Sequence, residues 1–345
     1  MSYLFFDIEC CDGKHMCSFG YVVCDEKMRV LKKEDILINP EYPFRLARKG
    51  FEPEIKLAYP PEVFAEQPNF SFFYDKIKEL VLSSDMVLGH AVTNDVRFLN
   101  IACSQYKLQQ WKYCALDTQK VFAQLTRSQN MSLEHIAEKT GVSIKHLHKS
   151  DDDAELTMEA FKAVLKKIKM TPEEIAEICP TCVSYTEGGT PKASNASAYK
   201  ILKAKVKTLQ AKKGPFSGKT VCFSEHLEKK DTLKVWAILK EFCKKGGQYT
   251  NMAEKADYFV RADFVCKRHK VVQNSKVMDI FGFAQTVGLD FKCFAPDNLE
   301  YLRSEPATAS FKDMLKAKGG ENLKEIENIL NASDASEIKT DSPKP

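Results

Sequence analysis

Tyr3-Leu4-Phe5-Phe6-Asp7-Ile8-Glu9 is a run of aromatic and aliphatic residues that ends in two acids spaced two apart. A short continuous apolar run of this kind reads as a buried strand. Successive side chains of a strand point to opposite faces, so Asp7 and Glu9 share one face while Ile8 enters the opposite layer. Two carboxylates at the end of a buried strand are costly unless cations accompany them. Hard oxygen ligands suit Mg²⁺ or Mn²⁺. A strand end that simply emerges into solvent would carry the same two acids, so the pair decides nothing alone.

Outward from this strand, residues 19–23 read as its neighbour. Residues 40–68 carry Pro40, Pro43, Pro53, Pro60, Pro61 and Pro68 and are expected to form loops and short helices. Helices are expected over residues 72–82, 92–105, 118–126, 132–140 and 154–168, with short strands at 86–89 and 114–117. Gly141 follows the fourth helix, as helix stops often do. The last helix is amphipathic, with Ala154, Met158, Phe161, Leu165 and Ile168 on one face. Early strands and later interleaved helices give an α/β domain over residues 1–170.

Residues 171–214 change character. Glu187-Gly188-Gly189-Thr190-Pro191 suits a linker, and residues 188–224 hold eight lysines and no acid. Tyr199, Leu202, Val206 and Leu209 fall at helical spacing within this basic stretch, whose lysines could contact phosphates or simply form a solvated face. Residues 215–303 read as a second, smaller α/β domain. The tail at 304–345 is polar and expected to be largely disordered, apart from a helical pattern near residues 323–330. Cys179-Pro180-Thr181-Cys182 lacks the second cysteine pair that a structural zinc centre uses, so it is read as a linker turn.

Composition sets further bounds. The hydrophobic fraction of 44% supports a sizeable core, and a net charge of +4 does not by itself announce a nucleic-acid protein. No apolar run reaches the ~18 residues of a membrane span, and the first residues lack the basic flank of a signal peptide. The expectation is a cytoplasmic protein without membrane contact, whose 12 cysteines are mostly small buried hydrophobes.

Two further acidic segments join Asp7 and Glu9. Gly89-His90-Ala91-Val92-Thr93-Asn94-Asp95-Val96-Arg97-Phe98 puts an acid in the first turns of a helix, and His146-Leu147-His148-Lys149-Ser150-Asp151-Asp152-Asp153-Ala154 opens another. Each has an ordinary explanation, since acids suit helix N-termini and aspartate caps them well. In order, however, Asp-x-Glu, Gly-His-x(4)-Asp and His-x(4)-Asp form the signature of the DEDDh exonucleases. Residues 1–170 resemble the proofreading epsilon subunit of bacterial DNA polymerase III and its relatives. Leu116-Asp117-Thr118, Ser132-Leu133 with Ile136-Ala137, and Gly141-Val142 support the likeness in the same order.

The resemblance implies a ribonuclease H-like fold, a mixed sheet flanked by helices, and 3′→5′ hydrolysis of phosphodiesters to nucleoside 5′-monophosphates. It assigns Asp7, Glu9, Asp95 and Asp153 to two divalent ions, Mg²⁺ or Mn²⁺, and a histidine to the general base. His146/Asp151 and His148/Asp153 both satisfy the spacing. The second pair is chosen because Ala154 follows it, Thr157 lies four after the acid, and Asp153 is in register with the apolar helix. The resemblance also implies contacts from Cys10, His90, Asn94 and Phe98 to a single strand or 3′ end. The usual Thr after the Glu is Cys10, the usual Asn after the motif histidine is Ala91, and the usual aromatic before the Asp is Asn94. These departures leave DNA against RNA open, with DNA favoured.

In the second domain, residues 218–223 read as a turn and strand, residues 233–244 as a helix leading to Gly246-Gly247, and residues 256–260 as another strand. A helix is expected at 275–288 and a short strand at 291–294. This order resembles a BRCT domain, which implies a module for DNA ends, phosphopeptides, or a DNA polymerase or repair protein. Ser224 and Lys276 are the candidate phosphate ligands, although the Gly that usually follows the hydroxyl is Glu225; Trp236 is read as core. The competing function is a non-catalytic repair scaffold acting through this module. The presence of all four acids and a histidine speaks against it.

Overall fold

The computed structural model describes residues 1–46, 57–126, 130–144, 148–186, 195–261, 275–291 and 294. The chain divides into two compact units, Met1–Ile201 and Leu202–Pro345. In the first unit the chain runs through β1 (Ser2–Cys10), β2 (Met16–Asp25), β3 (Val30–Leu37), α1 (Pro61–Ala65), α2 (Phe70–Ser83), β4 (Met86–Gly89) and α3 (Thr93–Gln105). It continues through β5 (Cys114–Asp117), α4 (Thr118–Leu125), α5 (Leu133–Thr140), α6 (Ser150–Ile168), α7 (Pro172–Ile178) and β6 (Val183–Tyr185). The strands form one mixed sheet in the order β3-β2-β1-β4-β5-β6. β1, β2 and β3 are an antiparallel meander, β4 and β5 run parallel to β1, and β6 closes the far edge antiparallel to β5.

β1 is buried on both faces because it carries apolar side chains at even and odd positions alike. Leu4, Phe6 and Ile8 meet the side of the core that holds Phe19, Tyr21, Ile77 and Leu99. Phe5 points the other way and lies 6.2 Å, ring to ring, from Phe161 of α6. Each such aromatic or aliphatic side chain contributes about 1.5–3 kcal/mol on burial, so the sheet is held from both sides.

Three expectations need correction. Residues 172–178 and 183–185, read as linker, are α7 and the sixth strand of the sheet. Short polar sequence hid them: Thr171 caps α7 by accepting from the Glu174 N–H, and Val183 pairs with Leu116. β3 was not expected at all. Its charged run Lys32-Lys33-Glu34-Asp35 masks the strand, yet charges of this kind suit an edge. The third correction lies in the second unit.

α8 (Asn195–Val206) carries the division between the units. Then follow β7 (Thr220–Phe223), α9 (Glu225–Lys230), α10 (Thr232–Lys244), β8 (Gln248–Tyr249), β9 (Tyr258–Arg261), β10 (Lys276–Asp279) and α11 (Ile280–Val287). The four strands form an all-parallel sheet ordered β10-β9-β7-β8. The helix expected at 275–288 begins only at Ile280, because residues 276–279 pair with Tyr258–Arg261 and Asp279 caps the helix by accepting from the Phe281 and Gly282 N–H groups. Of the strand expected at 291–294 only Phe291 and Phe294 are described, and the Phe294 N–H donates to the Phe291 carbonyl. Trp236 is buried in the core of this unit. His146, the tail at 304–345 and its helical pattern lie outside the described residues. No described helix is long and apolar enough to cross a membrane.

Candidate active site

The pleat of β1 turns Asp7 and Glu9 to the α6 side of the sheet, in line with Phe5. Opposite them on β2 stand Gly20 and Ser18, and opposite Gly20 on β3 stands Asp35. Gly20 is there because α6 lies on it. A Cβ at this position would fall 2.0 Å from the Asp151 nitrogen and the Ser150 carbonyl carbon. The first turn of α6 is then pinned by Ser150, whose Oγ donates to Asp35 Oδ1 at 2.8 Å and shares a 2.7 Å hydrogen bond with Ser18 Oγ.

This anchoring sets the rotation of α6 and separates its three aspartates. Asp151 and Asp152 turn toward lysines: Lys149 Nζ lies 2.6 Å from Asp151, and Lys33 pairs with Asp152 and, at 3.0 Å, with Glu155. Asp153 turns inward and is buried. Its Oδ2 accepts from the His148 N–H at 2.9 Å. His148 holds a left-handed backbone, φ +61°, and its carbonyl accepts from the Ala58 N–H. Such a conformation is uncommon for a side-chain-bearing residue and marks a loop held by its surroundings. The ring is thereby aimed at β1, with Nδ1 3.8 Å from Glu9 Oε1. Ligand atoms of Glu9, His148 and Asp153 all lie within 4.8 Å of one another.

Asp95 arrives from the other side, on the first turn of α3, and its Oδ1 accepts from the Ile8 N–H at 3.1 Å. That bond ties the acid between Asp7 and Glu9 in sequence. Upstream, Ala91 takes a left-handed turn (φ +52°) whose N–H donates to Asp117 Oδ1 at 3.1 Å, and the same oxygen caps α4. Asp117 is thus a positioning residue for the turn into α3.

The charges in this cleft are poorly compensated. Burial first, then the Asp95, Glu9 and Asp153 carboxylates, pushes Asp7 well above the usual carboxylate range. Burial, with Glu9 second, raises Asp153 to about 7. Burial also raises Asp35 to about 6. The His148 imidazole is pushed above its ordinary value by the Glu9 carboxylate beside it. Asp153 Oδ1 is buried and has no hydrogen-bond partner. Among the described residues, no lysine or arginine pairs with Asp7, Glu9, Asp95 or Asp153. Acids gathered without a cation fit divalent ions, which remove the repulsion and take the spare oxygens.

The remaining candidates fall in different places. Cys10 is buried in the cluster that holds Leu4, Phe6 and Ile8, on the face of the sheet opposite Asp7 and Glu9, and near Cys17. His90 faces inward: its Nε2 lies 2.9 Å from the Met131 carbonyl and 3.4 Å from Gln119 Nε2, and burial lowers its pKa. Asn94 is exposed on the first turn of α3, and Phe98 is half-buried under the Arg97 guanidinium, 4.9 Å away. Ser224 follows the end of β7 and is buried, whereas Lys276 is exposed at the start of β10. In a parallel sheet these are opposite ends, so the two are not brought together as a phosphate site. Cys179 and Cys182 are buried in a tight turn with their sulfurs 3.3 Å apart.

Missed by sequence were Asp35, Ser18 and Ser150. The apolar run Ile36-Leu37-Ile38 directly after Asp35 and the glycine between Phe19 and Tyr21 were the available signals.

Residues 71–164 match the family model described as DEDDh_C, DNA polymerase III subunit epsilon-like, C-terminal domain. The DNA polymerase III subunit epsilon of Aquifex aeolicus (strain VF5) is 28% identical over 145 residues, covering 40% of this chain and 66% of the relative. The match thus spans just under two thirds of that protein's length. Among solved structures, the nuclease domain of 3′hExo, a DEDDh family member bound to rAMP, is similar at 16% identity and a TM-score of 0.40, covering 48% of this chain and 92% of that one. E. coli exonuclease I in complex with a dT13 oligonucleotide is similar at 18% identity and a TM-score of 0.36, covering 48% and 41%. By the family model and the curated relative, the first unit is similar to DEDDh 3′→5′ exonucleases.

Proposed function

We propose that the Met1–Ile201 unit, matched by a DEDDh family model and an epsilon subunit, hydrolyses the 3′-terminal phosphodiester of DNA and releases nucleoside 5′-monophosphates. The observation that carries this is the convergence of Glu9, His148 and Asp153 within 4.8 Å, with Asp7 on the same face of β1 and Asp95 bonded to the strand between them.

The family works with divalent metal ions, and here Mg²⁺ or Mn²⁺ fits best. Asp7, Glu9, Asp95 and Asp153 would hold them, and when bound they supply charge stabilisation to the attacking and leaving oxygens. His148 takes the proton of the attacking water. Glu9 beside it favours the imidazolium that results, and the Asp153 carboxylate on the His148 N–H keeps the ring in place. Burial of the acids makes each charge interaction stronger than it would be in water.

The Leu202–Pro345 unit is read as a BRCT-like binding module. Its all-parallel four-stranded sheet with interleaved helices supports this, and a DNA end, polymerase or repair protein is the partner class. The separation of Ser224 from Lys276 weighs against phosphopeptide capture by that pair.

The catalytic reading is tested by monophosphate release from a 3′-labelled single strand. His148→Ala should lower turnover about 10²–10⁴-fold, the usual contribution of a general base. His146→Ala should stay near the parent. The reverse order would move the base to His146 and the metal acid to Asp151.

A further inference from the structure

α3, whose first turn carries Asp95, borders a second hollow of about 730 Å³ in the first unit, lined by His15, Tyr42, Arg97, Asn100, Gln110 and Tyr185 among others. We propose that it holds the single strand behind its 3′ terminus, with Tyr42 as a platform for a nucleobase and Arg97 as a contact to the backbone phosphate. This rests on the exonuclease reading above.

Position is the first argument. Thr93, Val96, Arg97, Asn100 and Ser104 all line the hollow and follow one face of α3. That face begins in the turn that carries Asp95 and extends about 16 Å along the helix. A strand whose last phosphodiester lies at the acids has to leave the site along some surface, and this one shares the first turn of α3 with Asp95.

Chemistry is the second. No Asp or Glu lines the hollow, although acids crowd the neighbouring cleft. Its cationic side chain is Arg97, exposed and held over the Phe98 ring. The amides of Asn100 and Gln110 and the phenol of Tyr185 add polar groups suited to base edges. A cation for the backbone and an aromatic face for the bases is the combination that binds single strands without demanding a sequence.

Preorganisation is the third. Tyr42 lies parallel to the His15 ring, centroids 3.5 Å apart and 4° between planes, and remains 44% exposed. His15 is fixed by Asp12, which accepts from its backbone N–H at 2.9 Å and lies 2.8 Å from its Nδ1. On the other side, Glu41 stands in a left-handed turn (φ +57°) and its carboxylate accepts from Tyr106 OH at 2.8 Å and Asn69 Nδ2 at 3.1 Å. The two acids nearest the platform, Asp12 and Glu41, are both occupied by these bonds. A ring already held in place costs little ordering when a base stacks on it.

The test uses the full chain, with fluorescence anisotropy of labelled dT12 and rU12 in EDTA, so that binding is read without cleavage. Tyr42→Ala should weaken binding between about fivefold and about a hundredfold, the range that one stacked base supplies. Tyr42→Phe should stay within about twofold of the parent. Arg97→Ala should weaken binding and reduce the salt slope by about 0.7, one phosphate's share. In Mn²⁺, Tyr42→Ala should raise KM for dT12 more than it lowers kcat. Unchanged binding by Tyr42→Ala beside intact parent cleavage would overturn the platform and leave the exonuclease reading standing. Weakened binding by Tyr42→Ala with no cleavage by the parent would support the platform and reject the exonuclease reading.

Discussion

Gly20→Ala is the sharpest perturbation of the site that touches no candidate ligand. The added methyl would lie 2.0 Å from the backbone of Ser150 and Asp151, and no flexible side chain stands there to move aside. Ordinary contact begins near 3.4 Å, so the first turn of α6 must retreat by about 1.4 Å or β2 must bow by as much. Either motion stretches the Ser150–Asp35 and Ser150–Ser18 hydrogen bonds and carries Asp153 and the His148 turn away from Glu9. Overpacking of this kind costs about 1–3 kcal/mol. Displacing catalytic groups by about 1 Å costs on the order of 10²-fold in rate. The expectation is therefore a folded protein, melting several degrees lower, whose kcat on a 3′-labelled oligonucleotide falls about 10²-fold while affinity in EDTA changes little. Circular dichroism melting and single-turnover cleavage measure the two parts. A variant that cuts at the parental rate would refute the claim that the contact at Gly20 sets the position of Asp153.

Asp7→Asn should abolish most cleavage yet raise the melting temperature in EDTA by about 2–4 °C, because it removes a charge held beside Asp95, Glu9 and Asp153; a lower melting temperature would contradict that repulsion. Asp35 titrates near 6 when folded against about 4 unfolded. Below pH 4 its carboxyl is protonated in both states and contributes nothing; between pH 4 and 6 the unfolded chain releases the proton first. Ionisation then costs the fold up to about 3 kcal/mol above pH 6. Melting in EDTA should thus fall more steeply from pH 4 to 7 in the parent than in Asp35→Asn, and parallel curves would reject the assignment. A fragment of residues 1–201 should keep both cleavage and a cooperative melt, whereas residues 1–170 should melt lower, because β5 loses its partner β6. Equal melts would show that β6 adds nothing.

The parts of the fold that could be read beforehand are those in which a side-chain pattern reports its own surroundings. β1 announces itself by apolar residues on both faces, and α6 by its apolar stripe. The candidate acids could be read because strand alternation sets Asp7 and Glu9 on one face, while the choice of Asp153 over Asp151 rested on the Ala154 and Thr157 that follow it. What could not be read depends on partners distant in sequence. Asp35 matters through Ser150, and the two are 115 residues apart. β3 and β6 are short or charged strands whose stability comes from the strand beside them. Lys276 looked helical because Asp279, the true cap, lies inside the expected helix. The commitment of the His90 ring to the Met131 carbonyl and Gln119 likewise joins residues far apart in sequence.

The central claim is that these carboxylates and His148 form a metal-dependent exonuclease acting from the 3′ end. Incubating full-length protein with single strands labelled at the 5′ end, with and without a 3′ block, in Mg²⁺, Mn²⁺ or EDTA, tests it directly. The account predicts a ladder of products shortened one nucleotide at a time from a free 3′ end, nucleoside 5′-monophosphates in solution, and silence in EDTA. Undiminished cutting in EDTA, or of the blocked strand, would contradict it.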